Sequence, residues 1–162
     1  MARILIVGGG CRGRELASAL VSEGNVVRIT TRTEHRRDAI ETAGAECWIG
    51  TPDRLATLRG ALDGVTVLCW LLGSASGARE ELEALHTSRL EFFVTQAVDT
   101  TVRGMLYEAA GTPATSDLVS GGAQIAGALT ERNAIPVRFI RAELEDRDAW
   151  LEDALAGISS LL

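Results

Sequence analysis

Gly8, Gly10 and Gly13 stand at the spacing G-x-G-x-x-G, directly after the apolar run Arg3-Ile-Leu-Ile-Val7 and at the start of a segment with helical period. In a chain with 17 glycines a bare match of this kind carries little weight. Its place between a buried strand and a helix gives it meaning. There Gly8 permits the tight turn, Gly10 lets a ligand approach the backbone, and Gly13 lets the helix pack close to the strand. The unpaired N–H groups and the dipole of the helix favour an anion, and the anion this spacing serves is the pyrophosphate of a dinucleotide. Cys11 and Arg12 lie inside the same turn. Cys11 reads as a small residue filling it, with a redox-sensitive thiolate as the alternative.

The end of the second strand decides which dinucleotide is taken. Domains that bind NAD usually place an acid about 20 residues beyond the glycines, where it accepts from the ribose 2′-OH. Here the stretch reads Arg28-Ile-Thr-Thr-Arg-Thr33, with no acid before Glu34. Arg32 can pair with a 2′-phosphate and Thr31 can donate to it, so NADP is favoured over NAD. Arg12, Arg36 and Arg37 are further basic candidates, although the Arg36-Arg37 pair taken alone reads as a solvated helix face.

Other reactive side chains are sparse. All 16 basic residues other than His are Arg, so no lysine is present to form a Schiff base or shuttle a proton. Tyr107 and Glu108 at the fifth strand are weak catalytic candidates as proton donors, with a structural role for Glu108 the more economical reading. His35 and His86 have no Cys, Ser or acid at a spacing that makes a dyad, and both are expected at the surface. Cys47 and Cys69 fall within strands and read as inert, and Trp70 reads as core. No cluster has the spacing of a metal site.

The elements that must position these residues alternate regularly. Apolar runs at Arg3–Val7, Asn25–Thr30, Glu46–Ile49, Val65–Leu72, Thr101–Ala109 and Pro136–Ile140 read as strands. Helical periods fall at Arg14–Glu23, about 35–43, Asp53–Leu62, Arg79–Val98, about 117–132 and Ala149–Leu162, the fourth in two pieces meeting near Thr87-Ser88. Strand–helix alternation without a linker predicts one α/β domain over 1–162. Its expected architecture is a doubly wound parallel sheet of six strands in the order 3-2-1-4-5-6 with helices on both faces, the NAD(P)-binding Rossmann fold.

Composition agrees. Of the residues, 46% are hydrophobic, enough for a packed core. A formal charge of −6 disfavours nucleic acid and anionic membranes as partners. The charge is uneven: residues 1–60 hold nine Arg against seven acids, and residues 61–162 hold seven Arg against fifteen. The first third is therefore the place for a phosphate-rich ligand. With no apolar run of membrane length and no leader-like start, the expected location is the cytoplasm. Exposed helix faces on so small a domain are compatible with a homodimer.

Taken together, Arg3-Ile-Leu-Ile-Val-Gly-Gly-Gly-Cys-Arg-Gly-Arg14, Thr31-Arg32, Leu72-Gly-Ser-Ala75, Tyr107-Glu-Ala-Ala-Gly111 and Ile135-Pro-Val-Arg-Phe-Ile140 resemble the extended and atypical short-chain dehydrogenase/reductase superfamily, in its epimerase-like branch. The resemblance implies adenosine contacts at Gly50 and Thr51, and places Leu72, Gly73 and Ser74 beside the cofactor ribose. It also implies a catalytic Tyr-x-x-x-Lys pair, which this sequence does not have: its one tyrosine, Tyr107, is followed four residues later by Gly111. The family's C-terminal substrate lobe is expected to be absent, the sequence ending after the sixth strand and its helix. The expectation is an NADP(H)-binding protein with weak chemistry or a cofactor-sensing role. The alternatives are an NADPH-dependent reductase of a small carbonyl or enone, with Tyr107 or Glu108 supplying the proton, and a dimerisation module that binds no cofactor.

Overall fold

A computed structural model describes residues 1–162. Along the chain lie β1 (Arg3–Gly8), α1 (Gly10–Ser22), β2 (Val26–Thr31), α2 (Arg37–Thr42), β3 (Glu46–Ile49), β4 (Val67–Leu71), α3 (Arg79–Leu85), α4 (Ser88–Val98), β5 (Gly104–Glu108), α5 (Ser116–Asn133), β6 (Val137–Ile140) and α6 (Arg147–Leu161). All five strand pairings are parallel, and the order across the sheet is β3-β2-β1-β4-β5-β6, the order the alternation predicts. The order reverses between β1 and β4, and in open α/β sheets the crevice beyond the carboxyl ends of such strands is where ligands bind.

The strands are short, and the central ones are buried on both faces because helices cover both. Successive side chains alternate between two cores. Leu5, Val7, Leu68, Trp70, Met105 and Tyr107 pack in the core that holds Leu82, Leu85, Phe93 and Leu129 of α3, α4 and α5. Ile4, Ile6, Val67, Cys69, Leu71 and Leu106 pack in the core that holds Leu16, Leu20, Trp150 and Ile158 of α1 and α6. Trp70 also donates through Nε1 to the Leu85 carbonyl at 3.0 Å, which fixes the end of α3 against the sheet.

One helical expectation changes in kind. The segment expected as a helix over Asp53–Leu62 is a 3-10 helix over Leu55–Leu62. The Thr57 hydroxyl donates to the Arg54 carbonyl at 2.6 Å and competes with the local backbone pattern. Gly60 sits where a Cβ would come within 2.9 Å of the Trp48 ring, so the segment is pulled close to β3. The helix expected over about 35–43 likewise begins as a 3-10 turn, Glu34–Arg36, before α2.

Candidate functional site

The carboxyl end of the sheet opens into a cleft of about 470 Å³, within the usual range for small-molecule sites. Its floor is the glycine turn. Gly8, Gly9 and Gly10 all have positive φ, at 86°, 88° and 54°, which side-chain-bearing residues rarely adopt. Gly9, a position the motif leaves open, is as constrained as its neighbours, because a Cβ there would lie 2.9 Å from the Gly13 Cα. The Gly9 N–H donates to the Leu71 carbonyl at 2.8 Å, tying the turn to β4. α1 begins at Gly10, earlier than its periodicity suggests, with no acid in its first turn and no side-chain cap. The N–H groups of Gly10, Cys11 and Arg12 therefore take no backbone partner.

Thr30, Thr31, Arg32, Arg36, Gly50, Thr51, Pro52 and Asp53 form one end of the cleft. Leu71, Leu72, Ser74, Ala75, Ser76 and residues of α3 form the other. Of the residues singled out from the sequence, Gly8, Gly10, Thr31, Arg32, Gly50, Thr51, Leu72 and Ser74 line the cleft together. Cys11, Arg12, Gly13 and Gly73 do not line it. The Cys11 side chain is exposed, with Arg14 Nη2 at 3.2 Å from its sulfur. Arg12 instead lies over the Trp150 ring, 5.7 Å from its centroid, and Gly13 packs against β1, where a Cβ would stand 3.1 Å from the Gly8 carbonyl. The Arg36-Arg37 pair divides: Arg36 lines the cleft without an ion-pair partner, while Arg37 pairs with Glu34 and Glu41.

Tyr107 and Glu108, the two proton-donor candidates, both have 0% exposure and neither lines the cleft. As neighbours on a strand they point to opposite faces, and from there they hold one peptide between them. His86, expected at the surface, is instead fully buried. The Tyr107 hydroxyl and His86 Nδ1 are 2.6 Å apart, and His86 Nε2 lies 3.1 Å from the Leu72 carbonyl. A carbonyl can only accept, so Nε2 carries the proton, and the neutral ring accepts the Tyr107 hydroxyl at Nδ1. On the other face, Glu108 Oε1 accepts the Gly73 N–H at 2.7 Å and Oε2 accepts Trp150 Nε1 at 2.8 Å. The Thr115 hydroxyl donates to the Gly73 carbonyl. Leu72 and Gly73, the start of the loop after β4, are thus fixed from both sides of the sheet.

Burial shifts these groups in the expected directions. It lowers the His86 pKa, against the Leu72 hydrogen bond, and raises that of Tyr107, with the Glu108 charge adding to it. It also raises the Glu108 carboxyl, against the bonds from Trp150 and Gly73 and the nearby Arg12 charge. A base with a lowered folded-state pKa adds stability above its ordinary value of about 6.5, and that stability is lost as the pH falls towards the folded value. A raised carboxyl works in the opposite sense, its stabilisation being lost as pH rises. The His86 contribution is therefore read from a variant. Between about pH 7.5 and pH 5.5 the urea midpoint of His86→Phe is expected to fall less than that of the wild type. Equal falls would show that His86 is protonated without cost.

No family model matches the chain. Over 108 residues it is 31% identical to a ketoreductase of Stigmatella aurantiaca acting on a 4-hydroxy-2-methyl-3-oxo-4-farnesyl-3,4-dihydroquinoline-1-oxide, a match that covers 65% of this chain and 32% of the relative. Among solved structures, BdcA from Escherichia coli superposes with a TM-score of 0.76 at 14% identity, covering 96% of this chain and 89% of the other. The triphenylmethane reductase of a Citrobacter species, solved with NADP(H), superposes at 0.62 and 19% identity, covering 86% and 48%. The chain thus spans about a third of its curated relative's length and about half of the reductase's. The likeness to these solved structures is a likeness of fold.

Proposed function

We propose that residues 1–162 form one dinucleotide-binding domain that takes NADP(H), with weak chemistry of its own or a cofactor-sensing role. The observation that carries this reading is the positive-φ turn Gly8–Gly10 on the floor of a cleft whose far end holds Arg32 and Arg36, at a helix start where the N–H groups of Gly10–Arg12 have no backbone partner. The residues present fit such a cofactor. The N–H groups suit a pyrophosphate, Thr31 and Arg32 suit a 2′-phosphate, and Gly50 and Thr51 stand where adenosine would lie. Leu72, Gly73 and Ser74 would border the second ribose, with the first two held rigid by the His86 and Glu108 bonds.

When bound, the cofactor supplies a hydride. The chain's own part is to hold and orient it. Tyr107 and Glu108 lie sealed in the two cores, and without a lysine the sequence has no Tyr-x-x-x-Lys pair. These features favour binding over turnover. The ketoreductase relative favours a second reading, reduction of a small carbonyl substrate by NADPH.

Titration of NADPH and NADH followed by fluorescence tests the first reading: binding of neither at ~1 mM would sink both readings, since that corresponds to only about −4 kcal/mol. Arg32→Asp is expected to weaken NADPH by roughly tenfold to a hundredfold and NADH far less, because it replaces a pairing cation with a repelling charge. Equal weakening of the two would remove the 2′-phosphate role. Steady consumption of NADPH with any aldehyde, ketone or enone in a screen would establish the second reading in place of the first.

A further inference from the structure

Arg32 is not free in this cleft. Its guanidinium pairs with the Asp53 carboxylate through Oδ2, and Asp53 itself lines the cleft. The second carboxylate oxygen, Oδ1, accepts from Arg89 Nη1 of α4 at 3.2 Å, and the same nitrogen donates to the Pro52 carbonyl at 3.1 Å. Asp53 is held without help from Arg32: its N–H donates to Thr51 Oγ1 at 3.2 Å, and the Thr51 N–H donates to Thr57 Oγ1 at 2.8 Å. Exposure separates the partners, with 67% for the Arg32 side chain against 25% for Asp53 and 29% for Arg89. The carboxylate and Arg89 form a fixed post, and Arg32 is the arm that can leave it.

Resting on the cofactor reading above, we infer that Asp53 and Arg89 set which dinucleotide the cleft takes. The end of β2 carries no acid to accept a ribose 2′-OH; Asp53 brings one to the same rim from the loop after β3. With NADH, Asp53 accepts that hydroxyl. With NADPH, Arg32 exchanges the carboxylate for the 2′-phosphate, an exposed ion pair giving way to a charge-assisted bond to a dianion. Arg89 stays behind as the counter-charge that keeps Asp53 from repelling the phosphate. Arg36, which lines the same end and has no carboxylate partner, adds a second cation. Selectivity is then a balance in which Arg89 takes part without lining the cleft.

The test is the ratio of NADPH to NADH dissociation constants, measured by calorimetry on the full chain for the wild type, Asp53→Asn and Arg89→Gln, with thermal melts to confirm that each variant is folded. Asp53→Asn, which keeps the shape and removes the charge, is expected to shift the ratio towards NADPH by about tenfold, equivalent to about 1.4 kcal/mol. Arg89→Gln is expected to shift it towards NADH by several-fold, since an uncompensated Asp53 holds Arg32 more tightly. A ratio within twofold of wild type in a folded, cofactor-binding Asp53→Asn protein overturns the inference alone. So does an Arg89→Gln protein that favours NADPH. A wild type that binds neither cofactor overturns the cofactor reading and this inference with it.

Discussion

Gly73→Ala is expected to lower the melting temperature by about 10 °C, corresponding to a loss of roughly 3 kcal/mol in a chain of this size. A Cβ on Gly73 would overlap the Ala110 carbonyl oxygen and stand 2.8 Å from Glu108 Oε1. Neither neighbour can retreat cheaply. Ala110 lies two residues beyond β5, which is paired on both sides within the sheet. Glu108 is held by Trp150, and it accepts the N–H of the very residue that would be pushed away. The added methyl must force apart the two loops at the carboxyl end of the sheet, and one of them forms a wall of the cleft. Cofactor affinity should therefore fall together with stability. A thermal melt followed by circular dichroism reads the effect, with Ser74→Ala, at an exposed neighbouring position, as the control. A Gly73→Ala protein melting within about 2 °C of wild type would show that this loop yields freely.

The second large effect lies on the opposite face of the same sheet. A Cβ on Gly122 of α5 would overlap the Tyr107 hydroxyl oxygen and stand 2.7 Å from the Tyr107 Cζ. The ring cannot swing aside, because it is fully buried and its hydroxyl bonds to His86. Gly122→Ala is expected to cost roughly 2–3 kcal/mol through overpacking. Tyr107→Phe is expected to cost about 1–2 kcal/mol, because it leaves His86 Nδ1 buried without a partner. Together the two should cost less than their sum by about 1 kcal/mol, since removing the hydroxyl oxygen makes room for the methyl. Urea denaturation of the four proteins completes the cycle. Strict additivity would mean that the hydroxyl is not what requires a glycine at this position.

The features carried by local pattern were legible in the sequence. The glycine turn, the continuous apolar run of β4 and the break between α3 and α4 each leave a signature within a few residues, and the strand order follows from their alternation. What escaped was decided over long separations. Arg32 reads as a free cation until β3 brings Asp53 beside it, 21 residues on. Nothing in the spacing of Arg36 and Arg37 tells which one faces the cleft. His86 did leave a trace: it lies one turn after Leu82 and directly after Leu85, at the end of the apolar face of α3. Tyr107 and Glu108 follow a comparable rule, since neighbours on a strand covered on both faces must both be buried. Which partners would satisfy them depended on α3 and α6, far away in sequence. The 3-10 segment after Asp53 could not be told from an α-helix by period alone, because tertiary pull on Gly60 and the Thr57 hydroxyl set its pitch.

The double anchoring of Leu72 and Gly73 has a consequence for motion. A peptide gripped from both cores exchanges its amide hydrogen only when the sheet itself opens, so Gly73 belongs with the slowest-exchanging amides although it sits in a loop. Any breathing of the cleft must then pivot beyond it, in the exposed Ser74–Ala78 stretch leading to α3, while the wall next to the glycine turn stays still.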